Sequence, residues 1–336
     1  MNTPLPKFSF SLPVYNEEQR IAGCLQSILG QDYPRDKIEI LVVDGGSSDR
    51  TKEIAAGFEC VRLLDNPLKL ADFGAKLSAR EASGELFVVF AADNGLAGKD
   101  WLKTAGGIFA AYPRLSAFWG KMVAAKGDPA LNRYYALIQN DPLSFFVNQN
   151  LRRYLRKARR QEIQGRAVYL FEVMADAPLI WGANGLVYRT EAVRGIITGA
   201  GFVADNDVFQ AMVEAGKNQV AYSPEVHIYH HHVRRVSDWV KKWKRNYLAH
   251  FLSKAKERNL RWAFHKGFGW RLCLWVIYSG IPVFSLLHSL YLAARDRRIC
   301  WLFHPLVSFA QLATYGCLTI FTPQGRNFLK ERLLQR

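Results

Sequence analysis

Paired cysteines are missing from this chain. Cys24, Cys60, Cys273, Cys300 and Cys317 are scattered, which speaks against a disulfide framework or a thiolate zinc site and predicts reduced thiols in a cytoplasmic protein. Internal repeats and low-complexity linkers are absent too, so neither a solenoid nor a string of tethered modules is expected. The polar opening MNTPLPK leads directly into a strand pattern and predicts no secretory signal peptide. Acidic residues are in short supply, 29 against 45 Lys and Arg, for a net charge of +16. That balance implies an anionic partner: a nucleotide, a nucleic acid or an anionic membrane surface. What is present is ample apolar material, 49% of the chain against 22% charged, which excludes a disordered polymer. A chain of 336 residues has room for one large domain or two modest ones.

Residues 38–51, IEILVVDGGSSDRT, are the most informative stretch. Six residues of buried-strand character reach a single carboxylate, Asp44, before breaking into Gly-Gly-Ser-Ser-Asp. A parallel strand reads this way; Ser47, Ser48 and Asp49 are placed to cap the next helix. In open α/β sheets, ligands bind at the strands' C-terminal edge. Strand patterns at 8–14, 38–43, 60–64 and 86–91 alternate with helical patterns near 19–29, 49–56 and 70–82. The alternation predicts an α/β fold with a mostly parallel sheet and right-handed crossovers. The pattern returns at 186–188 and 219–222.

The character changes beyond residue 140. Residues 151–166, LRRYLRKARRQEIQGR, form a basic run. After His232, Val236, Trp239, Val240, Trp243, Tyr247 and Phe251 recur at helical spacing among lysines and arginines, as in a helix lying in a membrane interface. Residues 270–294 and 299–321 are each about long enough to cross a bilayer, as a hairpin of spanning or deeply re-entrant helices. Their basic flanks place both ends in the cytoplasm, although Arg295, Arg297 and Arg298 in the connector oppose that rule. The same runs also fit a buried helical pair in a soluble domain. The expected domains are 1–232, with a basic membrane-facing insertion at 140–180, then interfacial helices at 233–268 and a hairpin with a basic tail at 269–336.

Four groups are candidates for chemistry. If the first two strands pair in parallel, Pro13, Tyr15, Asn16 and Glu17 lie beside Asp44. The carboxylate can then accept a pyrimidine N–H, Tyr15 can pack on the base, and amides near Asn16 can meet phosphate; helix capping is the simpler alternative. Asp93, in Ala92-Asp93-Asn94-Gly95, can hold a magnesium or manganese ion bridging a diphosphate, or simply make a turn. Asp205 and Asp207 precede or open a helix, where either serves as a general base or as a cap. Among His227 and residues 230–232, His230 is the candidate to complete the Asp93 metal shell, against a reading as loop histidines.

In this order, SLPVYNEE, VVDGGSSDRT, VVFAADNGLAGKDWL, WGANGLVYRTEAV and FVADNDVFQAMVEAG resemble the family-2 glycosyltransferases, across about residues 8–232. The resemblance implies a GT-A fold and sugar transfer from a nucleoside-diphosphate donor, usually with inversion. It implies that Asp44 holds the nucleobase, that Asp93 is the last aspartate of an Asp-X-Asp metal motif and that Asp205 is the base. Trp181, Gly182 and Asn184 would shape the acceptor side. Two positions depart from the family pattern: Ala91 replaces the first metal-motif aspartate and Ala204 the glutamate before the base. No Gln-X-X-Arg-Trp motif is present, which favours single-sugar transfer over polymerisation.

The combined expectation is a glycosyltransferase at the cytoplasmic face of the cell membrane, using a divalent metal and a lipid-linked acceptor in cell-surface polysaccharide synthesis. One rival is a polyprenyl-phosphate glycosyltransferase, whose acceptor needs no strong base. Another, resting on Ala91 and Ala204, is a non-catalytic nucleotide-sugar sensor or scaffold. Nucleic acid is set aside as a partner because the basic clusters adjoin bilayer-length apolar runs.

Overall fold

The computed structural model describes residues 4–147, 150–180, 184–199, 204–264 and 267–334. The chain divides into two compact units, residues 1–123 with 150–230, and residues 124–149 with 231–336. Residues 124–149, which the sequence pattern assigns to the first domain, thus group with the C-terminal helices.

The first unit is built on one ten-stranded sheet. Its strands are β1 (Phe8–Val14), β2 (Ile38–Asp44), β3 (Val61–Asp65), β4 (Leu86–Val89), β5 (Asn94–Leu96), β6 (Ala117–Val123), β7 (Arg159–Ile163), β8 (Arg166–Glu172), β9 (Leu186–Arg189) and β10 (Gln219–His230). Their order is β3-β2-β1-β4-β9-β6-β10-β8-β7, with β5 on β10. Strands β1 to β4 are parallel, as expected. Beyond β4 the sheet is mixed: β9 runs antiparallel to both neighbours, β6 and β10 are parallel, and β5, β8 and β7 pair antiparallel. The mostly parallel expectation holds only for the first half, where helices connect the strands. Hairpins such as β7–β8 close on two residues of positive φ, Gln164 at 51° and Gly165 at 72°, and such a turn joins antiparallel neighbours.

All seven residues of β2 are buried, which explains its continuous apolar run. Its Val14↔Asp44 register with β1 brings the two strand ends together. Helix Ile21–Leu29 buries Ile21, Cys24, Leu25 and Ile28, at the three- and four-residue spacing that makes one stripe.

In the second unit, the stripe expected to meet a membrane interface is internal. Helix Val236–Asn246 buries Trp239 and Trp243. Trp239 packs on Tyr135 with ring centroids 5.4 Å apart, and Trp243 on Tyr315 at 6.3 Å. The hairpin is also different. Among the described residues no single helix is long and apolar enough to cross a membrane. Helix Phe268–Gly280 meets Pro282–Asp296 at 90°, and the 299–321 segment meets the following helix at 82°. Both breaks fall where a proline starts the next helix, Pro282 and Pro323. Proline lacks the amide that would continue the preceding helix and restricts the residue before it.

Candidate active site at the sheet edge

Asp44 ends β2 as a buried carboxylate. Its Oδ2 accepts from the amides of Gly46 and Ser47, both at 2.9 Å. Gly46 has φ 84°, a conformation that suits glycine and turns both amides back onto one oxygen. The other oxygen, Oδ1, is buried without a hydrogen-bond partner among the described residues. An ionised oxygen in that condition is costly unless a ligand donor reaches it.

The loop after β1 is laced to the loop after β2. The amide of Asn16 donates to Ser47 Oγ (2.9 Å), that of Glu17 to Thr51 Oγ1 (2.7 Å) and that of Glu18 to Asp49 Oδ2 (3.2 Å). In return Ser48 N donates to Asn16 Oδ1 at 2.9 Å. These bonds correct two expectations. The amides near Asn16 are committed to side chains and are not open to a phosphate. Ser47 and Ser48 tie the two loops and do not cap helix Thr51–Ala56, whereas Asp49 Oδ1 does accept from Thr51 N at 3.0 Å. Dehydration pushes the Asp49 carboxyl up, but hydrogen bonds from Thr51 and Glu18 outweigh it and hold the group below its ordinary range. Tyr15 stands beside this lacing at 59% exposure, open to a flat ligand. Pro13 sits one position before the β1 end, opposite Val43, and Glu17 pairs with Arg20 at 2.8 Å.

Asp93 lies in the turn between β4 and β5, closed by Asn94 N donating to Ala91 O at 2.9 Å. Its Oδ2 is 3.5 Å from Nε2 of His230, the buried residue that ends β10 opposite Asn94. Asn94 Nδ2 donates to Asn184 Oδ1 at 2.9 Å. The Asn184 amide nitrogen lies 3.4 and 3.5 Å from the two ring nitrogens of His230. Gly185 makes this approach possible: its φ is 72°, and a Cβ there would fall 2.9 Å from Ile228 Cδ1. Beneath the turn, burial pushes the Cys24 thiol up, with the charges of Asp93 and then Glu17 adding to it.

The Asp93–His230 pair fits a divalent ion. A carboxylate oxygen and an imidazole nitrogen 3.5 Å apart are close enough to share one metal after a small adjustment. The set would leave positions for diphosphate oxygens, as magnesium and manganese prefer. The nearby Asn184 amide fixes the ring, as outer contacts do around metal-bound histidines. Of the other histidines, His227 Nε2 contacts Pro224 O at 2.8 Å, His231 pairs with Asp128 at 2.7 Å and the His232 ring stacks on Tyr135.

Asp205 and Asp207 both lie in the first turn of helix Asp205–Glu214. Ala204 occupies the N-cap without a side-chain bond, so neither aspartate is the cap. Asp205 is exposed and Asp207 buried. Burial, with the Asp205 charge adding, pushes the Tyr188 phenol well above its usual value, which puts Asp205 in electrostatic reach of β9. Trp181 and Gly182 lie outside the described residues. Sequence reasoning missed Lys69, whose side chain would be 3.2 Å from a Cβ on Gly46; a lone lysine after β3 carries no signal of it. It also missed the Asn184–His230 contact, for which the Asn-Gly pair at 184–185 was the available sign.

A sheet edge that carries a buried carboxylate and an Asp–His pair, with an exposed helix-start aspartate on the same unit, fits a nucleotide-dependent transferase. Residues 9–174, just under half of the chain, match the family described as glycosyl transferase family 2. It is similar to glycosyltransferase AglE of Haloferax volcanii, 35% identical over 107 residues, covering 31% of this chain and 35% of that protein. It is also similar to the dolichyl N-acetyl-alpha-D-glucosaminyl phosphate 3-beta-D-2,3-diacetamido-2,3-dideoxy-beta-D-glucuronosyltransferase of Methanococcus voltae, 31% identical over 90 residues, 25% of this chain and 28% of that one. The matched stretch thus spans about a third of these curated relatives or less. In fold the chain is similar to the mannosyltransferase PcManGT from Pyrobaculum calidifontis, solved with GDP-Man and Mn2+ (TM-score 0.53, 18% identity, 93% of this chain and 88% of that one). It is likewise similar to S. aureus TarS 1-349 (TM-score 0.50, 17% identity, 97% and 92%). These likenesses agree with the expected GT-A fold.

Proposed function

We propose that the protein is an inverting glycosyltransferase. It moves a sugar from a nucleoside-diphosphate donor to a hydroxyl of a polyprenyl-linked acceptor in cell-surface glycan synthesis, at the cytoplasmic face of the cell membrane.

 The observation that carries this reading is the convergence of Asp44, the Asp93–His230 pair and the exposed Asp205 on one unit built on one sheet.

The buried Asp44 Oδ1 accepts the ring N–H of a pyrimidine base, and Tyr15 covers the base. Asp93 and His230 would hold the divalent ion, which when bound neutralises the charge of the leaving diphosphate. Asp205 takes the proton of the acceptor hydroxyl. The acceptor oxygen bonds to the anomeric carbon as the bond from that carbon to the diphosphate oxygen breaks, its electron pair leaving with the nucleoside diphosphate. Attack opposite the leaving group inverts the anomeric centre. The Methanococcus voltae relative, whose name specifies a dolichyl-linked sugar phosphate, supports the lipid-linked acceptor, and the basic runs support a membrane setting.

The test is a screen of nucleotide sugars against membrane lipid extracts, with manganese, magnesium or chelator. Metal-dependent transfer of one sugar is expected. Donor binding without transfer or hydrolysis for every donor would instead identify a sensor or scaffold.

A further inference from the structure

The C-terminal helices are polar inside and apolar outside. Ser279, Ser285, Ser289, His304, Ser308 and Gln311 are all fully buried. Several of them bond within the second unit: Ser289 Oγ donates to Trp301 O at 2.6 Å, His304 lies between the Tyr134 and Tyr278 hydroxyls at 2.6 and 2.9 Å, and Gln311 Nε2 donates to Asp141 at 2.8 Å. The outward side chains include Leu274, Ile277, Phe284, Leu287, Leu306 and Phe309. Of the 25 exposed large hydrophobic side chains among the described residues, 17 fall between residues 270 and 321, so the exposure is concentrated on these helices. Water does not favour such a surface, whereas acyl chains do.

The geometry does not suit crossing. The first two helices, of 13 and 15 residues, are roughly 20 and 22 Å long at about 1.5 Å per residue. Each falls short of a hydrocarbon core of about 30 Å, and the chain turns by 90° and 82° at its proline breaks. A crossing hairpin would also carry Arg295, Arg297 and Arg298 to the far side, against the cytoplasmic preference of basic connectors. Trp270 and Tyr291 are exposed, with Arg271 and Arg295 over their rings at 5.8 and 5.9 Å. Such amphipathic pairs suit the headgroup layer.

We propose that helices Phe268–Gly280, Pro282–Asp296 and His304–Phe321 embed in one leaflet of a bilayer without crossing it. Their outward apolar face lies among acyl chains, and the 295–298 connector returns to the headgroup layer it left. The inference rests on the membrane-associated setting proposed above and is independent of the sugar chemistry.

The experiment places single cysteines in the full chain, in a background with the native cysteines replaced. Lys254→Cys reports the basic side and Arg297→Cys the connector. A membrane-impermeant maleimide is applied to everted and to right-side-out sealed vesicles. Labelling of both positions in the same vesicle orientation is expected. Labelling in opposite orientations would overturn the one-leaflet arrangement and leave the membrane setting intact; a chain absent from the membrane fraction would overturn both. Ile277→Arg with Leu287→Arg, in the native-cysteine chain, is a second measurement: the membrane-bound fraction should fall about tenfold or more. Unchanged retention would overturn the embedding of that face.

Discussion

Asp205 and Asp207 differ in burial more than in sequence setting. In the proposed reaction the exposed Asp205 is the one an acceptor hydroxyl would reach, while Asp207 is buried in the same helix. Asp205→Asn keeps the shape and removes the base. A loss of turnover on the order of 10³-fold, with little change in donor KM, is expected in steady-state assays. A loss of only a few-fold would point to an acceptor that is already ionised, such as a polyprenyl phosphate. Asn184 contacts the ring of His230 and in the proposed site would support it as a metal ligand. Asn184→Ala should weaken manganese affinity about 10- to 100-fold, read by manganese titration with electron paramagnetic resonance in the absence of donor. Unchanged affinity would show that the ring needs no such support. The two alanines at 91 and 204 are consistent with this proposed division of roles: the Asp93–His230 pair would supply two metal donors without a residue-91 carboxylate, and Ala204 is the helix N-cap.

Glu39 shows how one side chain holds several elements. It sits in β2 opposite Ser9 of β1, accepts from Ser9 Oγ at 2.5 Å and Ser83 N at 2.9 Å, and pairs with Arg62 of β3 at 3.1 Å. Dehydration raises its pKa, but the hydrogen bonds from Ser83, Ser9 and Arg62 more than offset this and set it below the ordinary 4.5. The folded state therefore binds this proton less readily than the unfolded chain does. The stabilisation is complete above the ordinary value and is lost as pH falls through the lower folded value. Glu39→Gln should cost about 2 kcal/mol at pH 7, and the gap between the two proteins in thermal unfolding should close as pH falls through the lowered folded value. A gap that persists at acid pH would mean that shape, not charge, matters there. Elements were legible in the sequence where one periodic signal dominated. β2 declared itself because both of its faces are buried, and Asp44 because it ends that run. The breaks at Pro282 and Pro323 were legible as well, but the apolar composition around them outweighed two residues. The stripe of Trp239 and Trp243 had the right period, and period alone does not say whether a stripe meets lipid or other helices. The Asn94–Asn184–His230 contacts join three distant segments, and only the β5–β10 register and the close packing at Gly185 bring them together.

At the scale of the whole molecule, the excess of 16 positive charges and the apolar surface of the C-terminal helices would act on the proposed membrane by different physics. Charge attraction to anionic headgroups adds about 1 kcal/mol per basic side chain near the surface and is screened by salt, with a Debye length of about 3 Å at 1 M. Burial of apolar surface among acyl chains is not screened, since it follows the area removed from water at roughly 25 cal/mol per Å². Binding of the full chain to vesicles of anionic and zwitterionic lipid should therefore separate the two contributions. At low salt, anionic vesicles are expected to bind more tightly. As salt rises to 1 M, that advantage should disappear while a salt-resistant fraction remains on both kinds of vesicle. Complete release from both at 1 M salt would show that charge alone holds the protein to lipid, and the inside-out packing around Ser285, His304 and Gln311 would then need another occupant for its outer face.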